Sequence, residues 1–192
     1  MKSKIIFILF LCAGLFFSCN QDEGPKTSNE YFVKFNVNNA NVNFPGNPSQ
    51  PATFFYDPNG EVYAGIIQGF AQGSNGTKNA IQISFYNEEE FEINKTYELQ
   101  NPILYNTSTV PRVSITYFDA EGKIFNAVVL QQDNTAIMVK DRASIRFKNI
   151  GNSTIEGTFE GLLMGPFDVA SGRGNEERLI ASGEFKLPLI KN

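Results

Sequence analysis

Apolar and polar residues alternate with a period of two along most of this chain, and that rhythm decides its fold class. Tyr31, Val33, Phe35 and Val37 alternate with Lys34, Asn36 and Asn38, and Ile81, Ile83 and Phe85 with Gln82 and Ser84. Val113, Ile115 and Tyr117 alternate with Arg112, Ser114 and Thr116, and Ile145 and Phe147 with Arg146 and Lys148. A strand sends successive side chains to opposite faces, so each run gives a ribbon with one apolar side. No 3.6-residue stripe is sustained, and Glu88 to Lys95 has room for one helical turn at most.

Turn chemistry then joins the ribbons into hairpins. Asp57-Pro58-Asn59-Gly60 connects Thr53–Tyr56 to Glu61–Phe70, and Asp119-Ala120-Glu121-Gly122 connects Arg112–Phe118 to Lys123–Leu130. Asn149 to Ser153 connects Ala143–Lys148 to Thr154–Met164, and a long strand from Leu179 to Leu189 closes the pattern. Two Gly-rich loops are expected, at Gln72–Gly76 and at Gly165–Glu177. Roughly nine or ten short strands joined by turns predict an all-β domain, an antiparallel β-sandwich of two packed sheets. A lipocalin-like up-and-down β-barrel is the alternative, which periodicity alone does not separate.

The start of the chain follows a different rule. Lys2 and Lys4 precede an uncharged apolar run from Ile5 to Phe17. That run is shorter than the ~20 residues a membrane-spanning helix needs, and it has the length of a signal-peptide apolar region. It ends in Ser18-Cys19 and then polar chain. Leu15-Phe16-Phe17-Ser18-Cys19 resembles the lipobox of bacterial lipoproteins, although Phe16 stands where Leu is usual. The resemblance implies cleavage before Cys19 and acylation of that residue, and more than one acyl chain holds a protein stably on a membrane. The acidic Asn20-Gln21-Asp22-Glu23 is similar to the signal that sends Bacteroidetes lipoproteins to the outer face of the outer membrane. The expected organisation is a leader over 1–18, a lipidated Cys19 with a flexible tether over 19–29, and a single all-β domain over 30–192.

Several chemistries drop out on composition. The chain carries a formal charge of −4, and loss of Lys2 and Lys4 with a leader makes it two units more acidic. No cluster of Lys and Arg offers the electrostatic footprint of a nucleic-acid binder. Histidine is absent and the two cysteines are Cys12 and Cys19. A domain over 30–192 therefore has no thiolate, no disulfide, no His-containing triad and no His-ligated zinc. No cofactor is expected, and an enzyme made from it would have to work with carboxylates, Lys, Tyr, Ser or Thr, or a bound calcium.

The hairpin Ala143-Ser144-Ile145-Arg146-Phe147 / Ile155-Glu156-Gly157-Thr158-Phe159-Glu160-Gly161 is followed by a loop and by Ile180-Ala181-Ser182-Gly183-Glu184-Phe185. With the lipobox and the opening aromatic strand, this resembles small surface lipoproteins of Bacteroidetes classed as domains of unknown function. The resemblance covers about the last fifty residues well. It implies a sandwich-like fold and carries no activity or site residues.

Four constellations bear on function. Glu88, Glu89, Glu90 and Glu92 could supply oxygen ligands to calcium, but consecutive residues point different ways and a solvated turn is the simpler expectation. Glu156 and Glu160 share a strand face roughly 13 Å apart, beyond the ~5–9.5 Å of paired glycosidase carboxylates. Cross-strand pairing with Arg146 and Lys148 explains them more simply. Arg173, between Gly172 and Gly174, suits either an anion-binding nest or a mobile surface loop.

The last is an echo of two aromatics and an Asp or Asn at strand ends: Phe55-Tyr56-Asp57, Phe85-Tyr86-Asn87 and Tyr117-Phe118-Asp119. Tyr56, Tyr86 and Phe118, beside Asp57, Asn87 and Asp119, are candidates for an exposed sugar-binding platform. The expected function is a non-catalytic, membrane-anchored envelope or cell-surface module that binds or presents something, a glycan first. The alternatives are an envelope assembly component that contacts another protein and, less favoured, a carboxylate-only hydrolase.

Overall fold

The computed structural model describes residues 30–132 and 138–192; the leader, Cys19 and the tether lie outside them. Thirteen strands follow one another among the described residues: β1 (Phe32–Val37), β2 (Ala40–Pro45), β3 (Ala52–Asp57), β4 (Val62–Phe70), β5 (Ala80–Asn87) and β6 (Thr96–Glu98). Then come β7 (Ile103–Tyr105), β8 (Ser108–Val110), β9 (Val113–Phe118), β10 (Ile124–Ala127), β11 (Arg142–Ile150), β12 (Thr154–Asp168) and β13 (Gly172–Lys191). All three expected hairpins form. The Asp57 carboxylate accepts from the Asn59 amide at 2.9 Å, and Asp119 accepts from Glu121 and Lys123 at 3.0 and 2.8 Å, which closes two of the turns.

Two layers face each other. One runs β2-β1-β13-β12-β11-β6, antiparallel throughout; the other runs β3-β4-β5-β9-β10, also antiparallel. The layers are joined at both sides. Leu189–Lys191 of β13 pair in parallel with Ala52–Phe54 of β3, while Met164 and Phe167 of β12 pair with Asn126 and Ile124 of β10. The ladder therefore closes on itself as β13-β3-β4-β5-β9-β10-β12-β13. The fold is a sandwich with barrel-like closure, and it contains one parallel pair where the sequence reading expected only antiparallel ones.

The Gly-rich stretch expected as a loop from Gly165 to Glu177 is instead a hairpin, with β12 running to Asp168 and β13 starting at Gly172. Close backbone approach explains these glycines. A Cβ on Gly174 would lie 2.5 Å from the Gly165 carbonyl oxygen, and one on Gly165 would lie 2.6 Å from that of Ile124. Only Gly172, at φ +81°, serves the turn itself.

Between the layers the period-two residues meet as expected. Phe54, Phe85, Phe91 and Phe147 form an edge-to-face group with ring centroids 5.0–5.6 Å apart. A second group joins Phe35 to Phe44, Tyr117 and Phe159 at 5.7–5.9 Å. Phe91 comes from the Glu88–Lys95 segment, which is an extended loop and not a helical turn; its Asn94 amide donates to the Phe147 carbonyl at 2.7 Å. Phe147 is fully buried and its ring also meets Tyr97 and Phe185. Phe147→Ala is expected to cost about 3–5 kcal/mol. It should appear in urea unfolding as a lower midpoint with an unchanged slope, whereas Phe55→Ala, at an exposed position, should shift it little.

Candidate functional site

Strand parity places Ile81, Ile83 and Phe85 inside and Ala80, Gln82, Ser84 and Tyr86 on the outer face of the second layer. Register then sets their neighbours. Phe70 of β4 lies opposite Ala80 of β5, and Ala80 opposite Phe118 of β9. The next outward row is Gln68, Gln82 and Thr116. Two aromatic side chains thus stand about two strand spacings apart, roughly 10 Å, with only a methyl group between them.

The result is a depression of about 290 Å³ lined by Gln50, Gln68, Phe70, Thr77, Gln82 and Phe118, among others. Its amides are ordered. The Gln68 Nε2 donates to Gln82 Oε1 at 3.0 Å, and the Gln82 Nε2 to Ser84 Oγ at 3.3 Å. The 71–79 loop forms one wall and is held by its own hydrogen bonds. Ser74 Oγ donates to the Lys78 carbonyl at 2.5 Å, and Asn75 Oδ1 accepts from Thr77 Oγ1 at 2.6 Å. Such a slot suits a neutral, flat, hydroxylated ligand. Aromatic faces cover its apolar side, and amides both donate to and accept from its hydroxyls.

Of the six residues expected to form one platform, only Phe118 lines this slot. Tyr86 lies on the same outer face but six residues along β5 from Ala80, the partner of Phe118, or about 20 Å away. The reason is strand direction. β3 and β5 run the same way and β9 runs against them, so the ends of β3 and β5 share one end of the layer and the end of β9 lies at the other. Tyr56 packs at a tilt against Tyr63 with centroids 4.8 Å apart, and Tyr86 stacks on Tyr105 at 5.8 Å. Asp57 accepts from the Tyr105 hydroxyl at 2.6 Å, Asp119 closes its turn, and Asn87 is buried against Arg112 and the Glu89 carbonyl.

The residues missed were Gln68, Gln82 and Phe70. Parity made the two glutamines outward-facing, but only the register between β4, β5 and β9 shows that they meet.

The charged constellations resolve as structure. Glu156 pairs with Lys186 at 3.4 Å, and Lys148 with Glu184 at 3.9 Å. Charge pairing is therefore present, but β13 supplies the partners and not the β11–β12 hairpin. Arg173 is neither a nest nor part of a loose loop. Its Nη1 and Nη2 grip Asp141 at 2.9 and 2.6 Å, and Asp141 is 2% exposed and also accepts from the Val128 and Val129 amides. Among the described residues no group of three or more His, Cys, Asp or Glu could hold a metal ion.

Among the described residues, the carboxyl groups with displaced pKa values are all displaced downward. The Tyr105 hydroxyl lowers Asp57, the Arg112 guanidinium lowers Glu88, Ser171 lowers Asp168, and Lys34 lowers Glu184. A general acid for glycoside hydrolysis needs the opposite shift. No family model matches the sequence, and neither does any curated protein or solved structure.

Because these four groups titrate lower folded than unfolded, their stabilising contribution is complete above the ordinary carboxyl range and is lost as pH falls through the lowered folded values. The melting temperature should hold from about pH 7 to pH 5 and drop below about pH 4.5. In Glu88→Gln part of that drop should disappear, as read by circular dichroism melts across pH.

Proposed function

We propose that this chain is a non-catalytic, lipid-anchored envelope protein of a Bacteroidetes-type bacterium, displayed at the cell surface, that binds a neutral glycan on the outer face of β4, β5 and β9. The observation that carries the binding is the slot itself: Phe70 and Phe118 on either side of Ala80, over the amide row of Gln68 and Gln82. Sugar rings present an apolar face of C–H groups and a rim of hydroxyls, and the slot offers a partner to each. The absence of Trp is offset here by two phenylalanines acting together.

The anchor rests on the lipobox-like Leu15–Cys19, and strand direction fixes where the slot lies relative to the start of β1. β1 begins beside Lys186, near the end of β13, and β3 runs parallel to that end. β4 returns the other way, and Gly69, next to Phe70, packs on Val33 of β1, so the slot lies near the end of its layer where β1 begins.

The test is binding by the purified mature protein to a panel of neutral polysaccharides. Phe70→Ala and Phe118→Ala should each weaken binding by about tenfold, the loss expected from an aromatic contact of about 1–1.5 kcal/mol. The double variant should bind nothing, and Tyr56→Ala should bind normally. Unchanged affinity in the double variant sinks the glycan reading, and hydrolysis of the bound glycan sinks the non-catalytic one.

For the anchor, a radiolabelled acyl chain should be incorporated by the wild type and not by Cys19→Ala. Protease added to intact cells should cut the domain while a periplasmic control stays whole; protection would place it facing the periplasm.

The second reading, an assembly component, is favoured by one feature. Ala40–Pro45 of β2 has β1 on one side and no strand on the other among the described residues, and a free strand edge is a place for another chain to pair.

A further inference from the structure

A second cavity of about 310 Å³ lies at the opposite end of the same layer, lined by Asn87, Glu88, Lys95, Thr96, Asn101 and Arg112, among others. It is independent of the glycan slot and does not rest on that reading. Its central feature is Arg112, which sequence parity assigned to a polar strand face and which is only 9% exposed.

The guanidinium is held from two sides. Its Nε donates to the Asn101 carbonyl at 2.9 Å and its Nη1 to Asn87 Oδ1. These partners fix the plane of the fork. The third partner is different in kind. Glu88 reaches in from the loop after β5 and takes Nη1 at 2.7 Å and Nη2 at 3.3 Å, while its own side chain remains 54% exposed. Among the described residues Nη2 has no other partner, and Arg112 lines the cavity. A buried guanidinium with a fixed plane is the preferred group for gripping a carboxylate with two parallel bonds.

We propose that this cavity receives the carboxylate of a small polyhydroxylated acid, of the sugar-acid class, and that Glu88 is an internal stand-in which the ligand displaces. The exchange is physically mild. One carboxylate replaces another on Arg112, so the buried cation is never left unpaired, which would be the costly outcome. Glu88 swings into water that already reaches half of it. The cavity is far larger than a carboxylate, and Thr96 and the Asn101 side chain give hydroxyl groups hydrogen-bond partners. Lys95 adds a second cation among the lining residues, restrained by Glu92. Glu88 is tethered beside its site, so its effective concentration is high and it holds wild-type affinity down.

The test is calorimetric titration of the mature protein, wild type and Glu88→Ala, with glucuronate, with a polyglucuronate chain and with glucose. Glu88→Ala should bind glucuronate about tenfold tighter or better than wild type, the affinity should fall with added salt, and glucose should not bind there.

If glucuronate alone binds, the source is a free acid; if the chain binds as well or better, it is an acidic residue of a glycan. Glu88→Ala combined with Arg112→Lys should lose the gain. Should that variant unfold, Glu88→Ala with Lys95→Ala should lose part of it. Glu88→Ala binding no tighter than wild type, or glucose binding as well as glucuronate when Phe70→Ala and Phe118→Ala are also present, overturns the proposal. The Phe70→Ala/Phe118→Ala variant should leave this binding unchanged, so failure here and failure of the glycan slot are separately visible.

Discussion

The backbone pairing between β12 and β13 is the constraint on which everything else rests. These two strands are long enough to belong to both layers. β13 gives its middle to β1 and its last residues to β3, and β12 gives its first half to β11 and its end to β10. A pair of separate sheets would leave the edges of β3 and β10 open. Here the same hairpin covers both, and the second layer has no unpaired edge to template association. The close approach at Gly165 and Gly174 makes this possible, because any side chain there would push the two backbones apart.

That frame divides the interior from the outer faces in a way that explains where binding chemistry can sit. The large rings are spent inside, where Phe54, Phe85, Phe91 and Phe147 pack edge to face. The outer face of the first layer is zipped by ion pairs such as Lys34–Glu184 and Lys186–Glu156. The outer face of the second layer carries amides and hydroxyls with aromatics at either end. The ion pairs mostly satisfy each other, while the amide row retains donors and acceptors for a guest. Arg112 is the exception among the charges, because its outermost partner comes from a half-exposed loop.

Much of this is legible in the sequence. Alternation identified the inward faces of β1, β5, β9 and β11 correctly, since parity is a local property of each strand. Asp57 and Asp119 marked their turns because an Asx side chain bonds its own backbone within a few residues. What could not be read was register and direction. Tyr86 and Phe118 look equivalent in sequence, each closing a strand, yet antiparallel neighbours send their ends to opposite ends of the layer. Arg173 between two glycines reads as loop, and only the pairing of β12 with β13 brings it onto Asp141. The two glutamines were outward by parity and unremarkable alone; their value comes from being side by side.

The pairing of β13 with β1 spans roughly 150 residues of chain, and contacts of that kind close late because so much loop entropy must be lost first. The strand that joins the two layers is also made after every strand it joins. A nascent chain emerging from the ribosome therefore has hairpins to form but no way to complete either layer's closure until β13 is available. The order of synthesis itself keeps the chain open and delays its locking until the last strand is made.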